Sequence, residues 1–196
     1  MHPLALLLTA AAMESPHDRA RTVNAARAGD RAAFEQILRQ HERLVLATAL
    51  RLLGNLEDAQ DAAQEVFLKL FHNLGKVEST RNLTGWLYRV TVNVCHDQRR
   101  RRPNMPPVDD LEGFAAAGAD PQQELGAAER RRVLELSLRR LPEKERAALV
   151  LRDLEGLSTA QVAEVLGSSE VTVRSQISKA RAKVKIFVEQ YFRRRV

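Results

Sequence analysis

The stretch LSTAQVAEVLGSSEVTVRSQISKARA, residues 157–182, leaves a folding chain few choices. Ser158, followed three residues later by Gln161, has the form of a capping box that starts a helix. Val162, Val165 and Leu166 give that short helix one apolar side, and Ala163 is small enough for another helix to cross closely. Gly167, four residues on, supplies the left-handed backbone of a tight turn. Ser168 and Ser169 can cap a second helix, which Val171, Val173, Ile177, Ala180 and Val184 are expected to seat on a core. The unit is a predicted helix-turn-helix. Its second helix offers Thr172, Arg174, Ser175, Gln176, Ser178 and Lys179 to the outside. Early residues of such a helix meet base edges in the major groove, where Arg suits guanine and Gln suits adenine. The later cations Arg181, Lys183 and Lys185 are placed for phosphates.

The rest of the chain is also patterned for helices, with no internal repeat and no strand-like alternation of any length. Asp30 is a cap for a helix carrying Phe34, Ile37, Leu38, Leu44, Val45 and Leu52; Gly54 stops it and Asn55 caps the next. That next helix has the cleanest period in the chain. Ala59, Ala62, Ala63, Val66, Phe67, Leu70 and Phe71 form its predicted buried face, and Gly75 ends it. After a polar loop, KVESTRN, Thr84 is the expected cap of a helix with Trp86, Leu87, Val90 and Val94. This helix runs into Arg99–Arg102 and stops at Pro103. Prolines, glycines and the acidic DDLE mark a linker, beyond which Leu134, Leu138, Leu141, Ala147, Val150, Leu151 and Leu154 restore a helical pattern. The predicted organisation is all-α: an extension over residues 1–21, a helical lobe over 22–102, a flexible linker over 103–123 and a helix-turn-helix lobe over 124–196.

Charge and composition narrow the function. A net charge of +6 favours polyanion partners, and 44% hydrophobic residues are enough to fill two small cores. The single cysteine, Cys95, lies on an apolar helix pattern and is read as core; no internal disulfide is possible. The five histidines are scattered, and there is no Gly-rich phosphate loop, metal-ligand spacing or nucleophile triad, so no enzyme, metal, cofactor or small-molecule substrate is expected. Residues 3–12 are apolar but too short to span a bilayer and lack a charged leader; they are read as an extension upstream of a start at Met13, in a cytoplasmic protein.

The first lobe carries two further surfaces. Glu57, Asp58, Gln60, Asp61, Gln64 and Glu65 make the exposed side of the second helix acidic, which suits a basic protein partner and not phosphate. On the third helix Arg89, Asn93, His96 and Arg100 fall on one stripe beside Trp86 and Tyr88, and cations beside aromatics suit single-stranded nucleic acid.

Three segments together resemble the bacterial RNA polymerase sigma factors of the sigma-70 family, in the extracytoplasmic-function (ECF) group. DAQDAAQEVFLKLF, from Asp58, is similar to the region two segment that docks on the clamp helices of the polymerase beta-prime subunit. TGWLYRVTVNVCHDQRRRR, from Thr84, is similar to the segment that opens and reads the minus-10 element. The run from Arg139 to Val184 is similar to region four, which reads the minus-35 element and touches the beta flap. The resemblance implies polymerase contacts at Asp58, Asp61, Gln64 and Glu65. It implies minus-10 contacts at Arg81, Asn82, Trp86, Arg89, Asn93 and Arg100, and minus-35 contacts at Thr172, Arg174, Ser175, Gln176, Lys179 and Lys183. It also implies an anti-sigma partner. Two positions depart from the pattern: Val171 stands where glycine is usual, and Gln176 where a basic residue is common. A conventional dimeric helix-turn-helix regulator is the alternative reading; half-site spacing would mark it.

Overall fold

The structure, a computed structural model, describes residues 16–77, 83–101 and 121–193. Every regular element among them is helical. The first lobe holds α1 (Pro16–Arg27), α2 (Arg31–Leu53), α3 (Leu56–Asn73), a 3-10 turn (Leu74–Lys76) and α4 (Leu83–Arg101). The second holds α5 (Pro121–Arg139), α6 (Glu143–Leu149), a π-helical turn (Val150–Leu154), α7 (Thr159–Leu166) and α8 (Glu170–Arg193).

Local signals set the helix ends in the first lobe. The Asp30 carboxylate accepts from the Ala32 and Ala33 amides at 2.9 and 3.2 Å, and Asn55 Oδ1 accepts from Asp58 N at 2.7 Å. Gly54 ends α2 at φ 86°, and the Arg139 side chain packs over it so closely that a Cβ would lie 2.8 Å from Nε. Both the left-handed backbone and this approach require glycine. Ile37, Leu70 and Leu87 are fully buried where α2, α3 and α4 meet. Truncating any of them to alanine costs about 2–5 kcal/mol. Cys95 is buried as expected, and burial pushes its thiol up to about 12, which keeps it protonated and unreactive.

Several expectations are corrected. Helix α1 begins at Pro16, inside the segment read as an extension to residue 21. Its sequence is polar; among its described side chains Val23 is buried and Ala26 packs beside it, and the Arg27 guanidinium donates to the carbonyls of Leu74 (3.2 Å) and Val77. Such tertiary anchoring leaves no amphipathic period to read. Phe71 is exposed and meets Phe34 edge-on at 5.4 Å, so the buried face of α3 ends at Leu70. Thr84 lies inside α4, which starts at Leu83; the inward stripe is Leu87, Tyr88, Thr91, Val92, Val94 and Cys95, leaving Trp86 and Val90 half-buried. Helix α5 starts at Pro121, so the second lobe begins earlier than residue 124; most of the predicted linker, 103–120, is outside the described residues.

The two lobes are docked, and one hydrophobic cluster runs through both, from Leu52 on α2 to Leu138 on α5 and Leu141 just after it. Arg146 is the polar centre of the junction. It is 3% exposed, and its guanidinium donates to the carbonyls of Leu138 (2.7 Å), Arg139 (2.7 Å), Leu141 (2.9 Å) and, across the lobes, Leu52 (2.8 Å). These oxygens belong to the last turns of α5 and α2 and the bend after α5, where carbonyls lack intrahelical partners and carry the negative end of the helix dipole. Around it, Arg51 pairs with Glu155, Tyr88 Oη donates to Glu155 Oε2 at 3.1 Å, and Arg139 donates to the Gly54 carbonyl. Burial first, then the Glu155 carboxylate, raises the Tyr88 phenol, so it stays a donor.

Candidate nucleic-acid and polymerase interfaces

The helix-turn-helix is built as its sequence dictates. Gln161 N donates to Ser158 Oγ (3.2 Å) while Ser158 N donates to Gln161 Oε1 (2.8 Å), closing the capping box. Gly167 turns the chain at φ 58°, and Ser169 Oγ caps α8 by accepting from Thr172 N at 3.2 Å. Val173, Ile177 and Ala180 seat α8 on the core, all buried. Thr172, Arg174, Ser175, Ser178 and Lys179 are exposed, as expected.

Two placements on α8 differ from expectation, and two of its cations have acidic partners. Val171 was expected on the core but is 72% exposed, because it lies two residues before Val173, about 200° around the helix. Gln176 is half-buried and its Oε1 is enclosed, because it flanks the inward stripe between Val173 and Ile177; it is not turned outward with Arg174. Lys183 is already paired, with Glu145 at 2.8 Å, and Arg181 forms a two-pronged bond to Asp153 at 2.6 and 2.8 Å. Arg181 and Lys183 stay exposed in these pairs, as do Lys179 and Lys185, the last 4.0 Å from Glu189. Arg174 starts bonded to Glu170 at 2.7 Å.

The proposed minus-10 helix is α4. Arg81 and Asn82 lie outside the described residues. Trp86 is half-buried against the core, in line with a packing role, while Asn93 is exposed. Arg100 is 81% exposed at its side chain, 4.0 Å from Asp97. Arg89, however, is engaged by the other lobe: Nη2 donates to the Glu164 carbonyl in the last turn of α7 at 2.9 Å. His96 faces Glu143 at 3.4 Å, without hydrogen-bond geometry. Burial holds the imidazole below its usual pKa, opposed by Glu143 and Asp97 and assisted by Arg99 and Lys144. The stripe predicted from sequence is therefore real on the helix but partly covered by α6 and α7.

On α3, Asp61 and Gln64 are exposed; Asp58 is half-buried and accepts from Asn55 Nδ2 at 2.6 Å, and Glu65 pairs with Lys69 at 3.1 Å. Sequence reading missed the other half of this surface. Asp61, Gln64, Leu68 and Phe71 follow steps of three, four and three, and Leu68 and Phe71 are 60% and 64% exposed. The outward stripe is acidic at its start and apolar at its end. Assigning Phe71 to the core hid that; the available signal was that the core stripe already closed at Leu70.

Among the described residues no group of three or more His, Cys, Asp or Glu is placed to hold a metal, and no helix is long and apolar enough to cross a membrane.

This architecture has close relatives. The family model for sigma-70 region 2 matches residues 37–104, and that for sigma-70 region 4 matches residues 131–184. The ECF RNA polymerase sigma factor SigM of Mycobacterium tuberculosis is 36% identical over 159 residues, covering 80% of this chain and 78% of that protein. The RNA polymerase sigma-H factor of Pseudomonas aeruginosa is 31% identical, covering 78% and 84%. Among solved structures, CnrH in complex with the cytosolic domain of CnrY superposes with a TM-score of 0.65 at 27% identity, covering 88% of this chain and 99% of CnrH. The chain belongs to the sigma-70 family, in its ECF group. Members of this group are transcription initiation factors, and the two regions in order set the chain apart from a dimeric helix-turn-helix regulator.

Proposed function

We propose that this chain binds RNA polymerase core in the cytoplasm, carries it to promoters and helps open them. The observation that carries this reading is the pairing, in one chain, of a helix-turn-helix whose second helix exposes Arg174, Ser175 and Lys179 with a separate cation-bearing helix and an outward stripe that is acidic at its start and apolar at its end. Helix α8 reads the minus-35 element with Thr172, Arg174, Ser175 and Lys179. Helix α4 and the residues that precede it in sequence, with Arg81, Asn82, Arg89, Asn93 and Arg100, take the minus-10 strand as it unpairs. Asp61, Gln64 and Glu65, joined by Leu68 and Phe71, dock on the clamp helices of the beta-prime subunit, and the second lobe touches the beta flap. The region 2 domain corresponds to the first lobe and the region 4 domain to the second. A regulatory protein, an anti-sigma factor, covers these faces; the complex of CnrH with CnrY supports such a partner.

The docked lobes add a step. Arg89 touches α7, so the two DNA-reading units sit side by side. Their elements lie roughly 25 base pairs apart, about 85 Å on a duplex with 3.4 Å per step. The lobes must separate before both can engage one promoter. The deciding assay is run-off transcription with purified core polymerase and templates selected from a randomised library. Promoter-specific transcripts that depend on this chain are expected. Core enzyme that initiates no differently with and without it would overturn the reading.

A further inference from the structure

Val171 is, at 72%, the most exposed of the large hydrophobic side chains among the described residues. It has no part in seating α8, which Val173, Ile177 and Ala180 accomplish from the opposite side. Val171, Ser175, Ser178 and Ala182 are all exposed and follow steps of four, three and four, which is one helix face. On that face Val171 alone is bulky, and it stands in the first turn, the part of such a helix that enters a groove. Its polar neighbours begin engaged elsewhere: Arg174 with Glu170 at 2.7 Å, and the Thr172 hydroxyl with that of Ser169 at 2.9 Å. A β-branched side chain on a helix is nearly fixed at χ1, so its two methyls are presented in one direction.

An isopropyl group has one good partner on a base edge. In the major groove thymine shows a C5-methyl, whereas guanine, adenine and cytosine show hydrogen-bonding groups that an apolar side chain would desolvate without replacement. We propose that Val171 is a specificity-determining residue: it packs on the methyl of one thymine in the minus-35 element and so selects a T·A pair over C·G at that position. This rests on the reading of α8 as the minus-35 helix. Val171 adds to Arg174 a second kind of recognition, by apolar contact in place of hydrogen bonds.

The test changes the DNA first. Minus-35 elements are selected with the polymerase complex of this chain, and each selected thymine is then replaced singly by deoxyuridine, which removes the methyl and nothing else. Burying one methyl corresponds to about a four-fold change in affinity. One deoxyuridine position is expected to weaken binding by about that factor. With Val171→Ala the thymine and deoxyuridine duplexes should bind alike, and Val171→Thr, which keeps one methyl, should retain part of the difference. Selected elements without a thymine, indifference to deoxyuridine at every position, or the same thymine preference in Val171→Ala would overturn the proposal. Promoter-specific initiation with such indifference sinks this inference alone; absence of promoter-specific initiation sinks the reading beneath it as well.

Discussion

Helix α8 turns Arg174, Ser175 and Lys179 to solvent, whereas α4 lies under the second lobe, with Arg89 bonded to α7 and His96 facing Glu143. Both helices carry cations in patterns that suit DNA, yet one surface is open and the other is covered. The difference is set by packing partners, not by composition. Helix α8 projects the far side of a core-seated helix, so its early outward residues stay exposed, while its later cations Arg181 and Lys183 pair with Asp153 and Glu145 of the same lobe. Helix α4 is clamped because the C-terminal carbonyls of α2 and α5 converge on Arg146, which draws the second lobe down beside it. In this form the surface proposed to read duplex is exposed and the surface proposed to take the unpaired strand is partly covered.

Removing the clamp should have the largest effect. Arg146→Met keeps much of the side-chain bulk but leaves four carbonyl oxygens without their donor. A loss of about 3 kcal/mol or more in unfolding free energy is expected, read by urea denaturation. A variant as stable as the parent would mean that the lobes do not depend on this residue.

Next in size is the open surface. Arg174→Ala removes a side chain able to make paired bonds to one base, and should cost about 1–3 kcal/mol while relaxing the preference at one minus-35 position. Lys185→Ala should weaken all sequences alike and lower the salt slope by about one unit. Selection on randomised minus-35 elements separates the two; an unchanged selected sequence with Arg174→Ala would show that the face is wrongly assigned.

How much of this contrast could be read from the sequence follows from the range of each interaction. The caps at Asp30, Asn55 and Ser158, the turns at Gly54 and Gly167 and the buried stripe of α3 up to Leu70 involve neighbours within a few turns, and they appear as spacing. Arg146 looks like any cation on a short helix, because its four acceptors include one 94 residues away. Helix α1 is similarly invisible, held by contacts of Arg27 with residues 47 and 50 positions on. On α8 the general face was legible but its edges were not: valine and glutamine types suggested core and groove, and helix rotation placed Val171 and Gln176 the other way round. Arg174, Ser175 and Lys179 stood well inside the outward arc, so small errors of phase did not move them.

Smaller effects should loosen the cover on α4 without unfolding either lobe. Glu155→Gln removes the charge that pairs with Arg51 across the lobes and should cost about 1 kcal/mol of docking. The expected readout is a larger hydrodynamic radius with unchanged helix content; an unchanged radius would assign the docking to other contacts.

The mildest lever is pH. His96 is held below the usual histidine value by burial, so the docked form binds fewer protons than a form in which the ring is free. Its contribution to docking is present above about pH 6.5 and is lost as pH falls below that value toward the lowered pKa. The groups facing it are Glu143 and Lys144 on α6, and Asp97 and Arg99 on α4. The radius should grow modestly between neutral pH and pH 5.5, and His96→Gln should remove that component. The same growth in the variant would assign it to other groups.

On the proposed reading, the covered and open helices act on one promoter only if the lobes part. Fluorophores attached through Glu42→Cys on α2 and Ala160→Cys on α7, both exposed positions, report their separation, while buried Cys95 stays unlabelled. Energy transfer is measured in the free chain and in the complex with core polymerase and a promoter that the labelled protein transcribes. Strong transfer in the free chain and its loss, with a separation larger by tens of ångströms, is the expected result. Active transcription complexes that keep the free chain's transfer would contradict the proposed separation of the lobes.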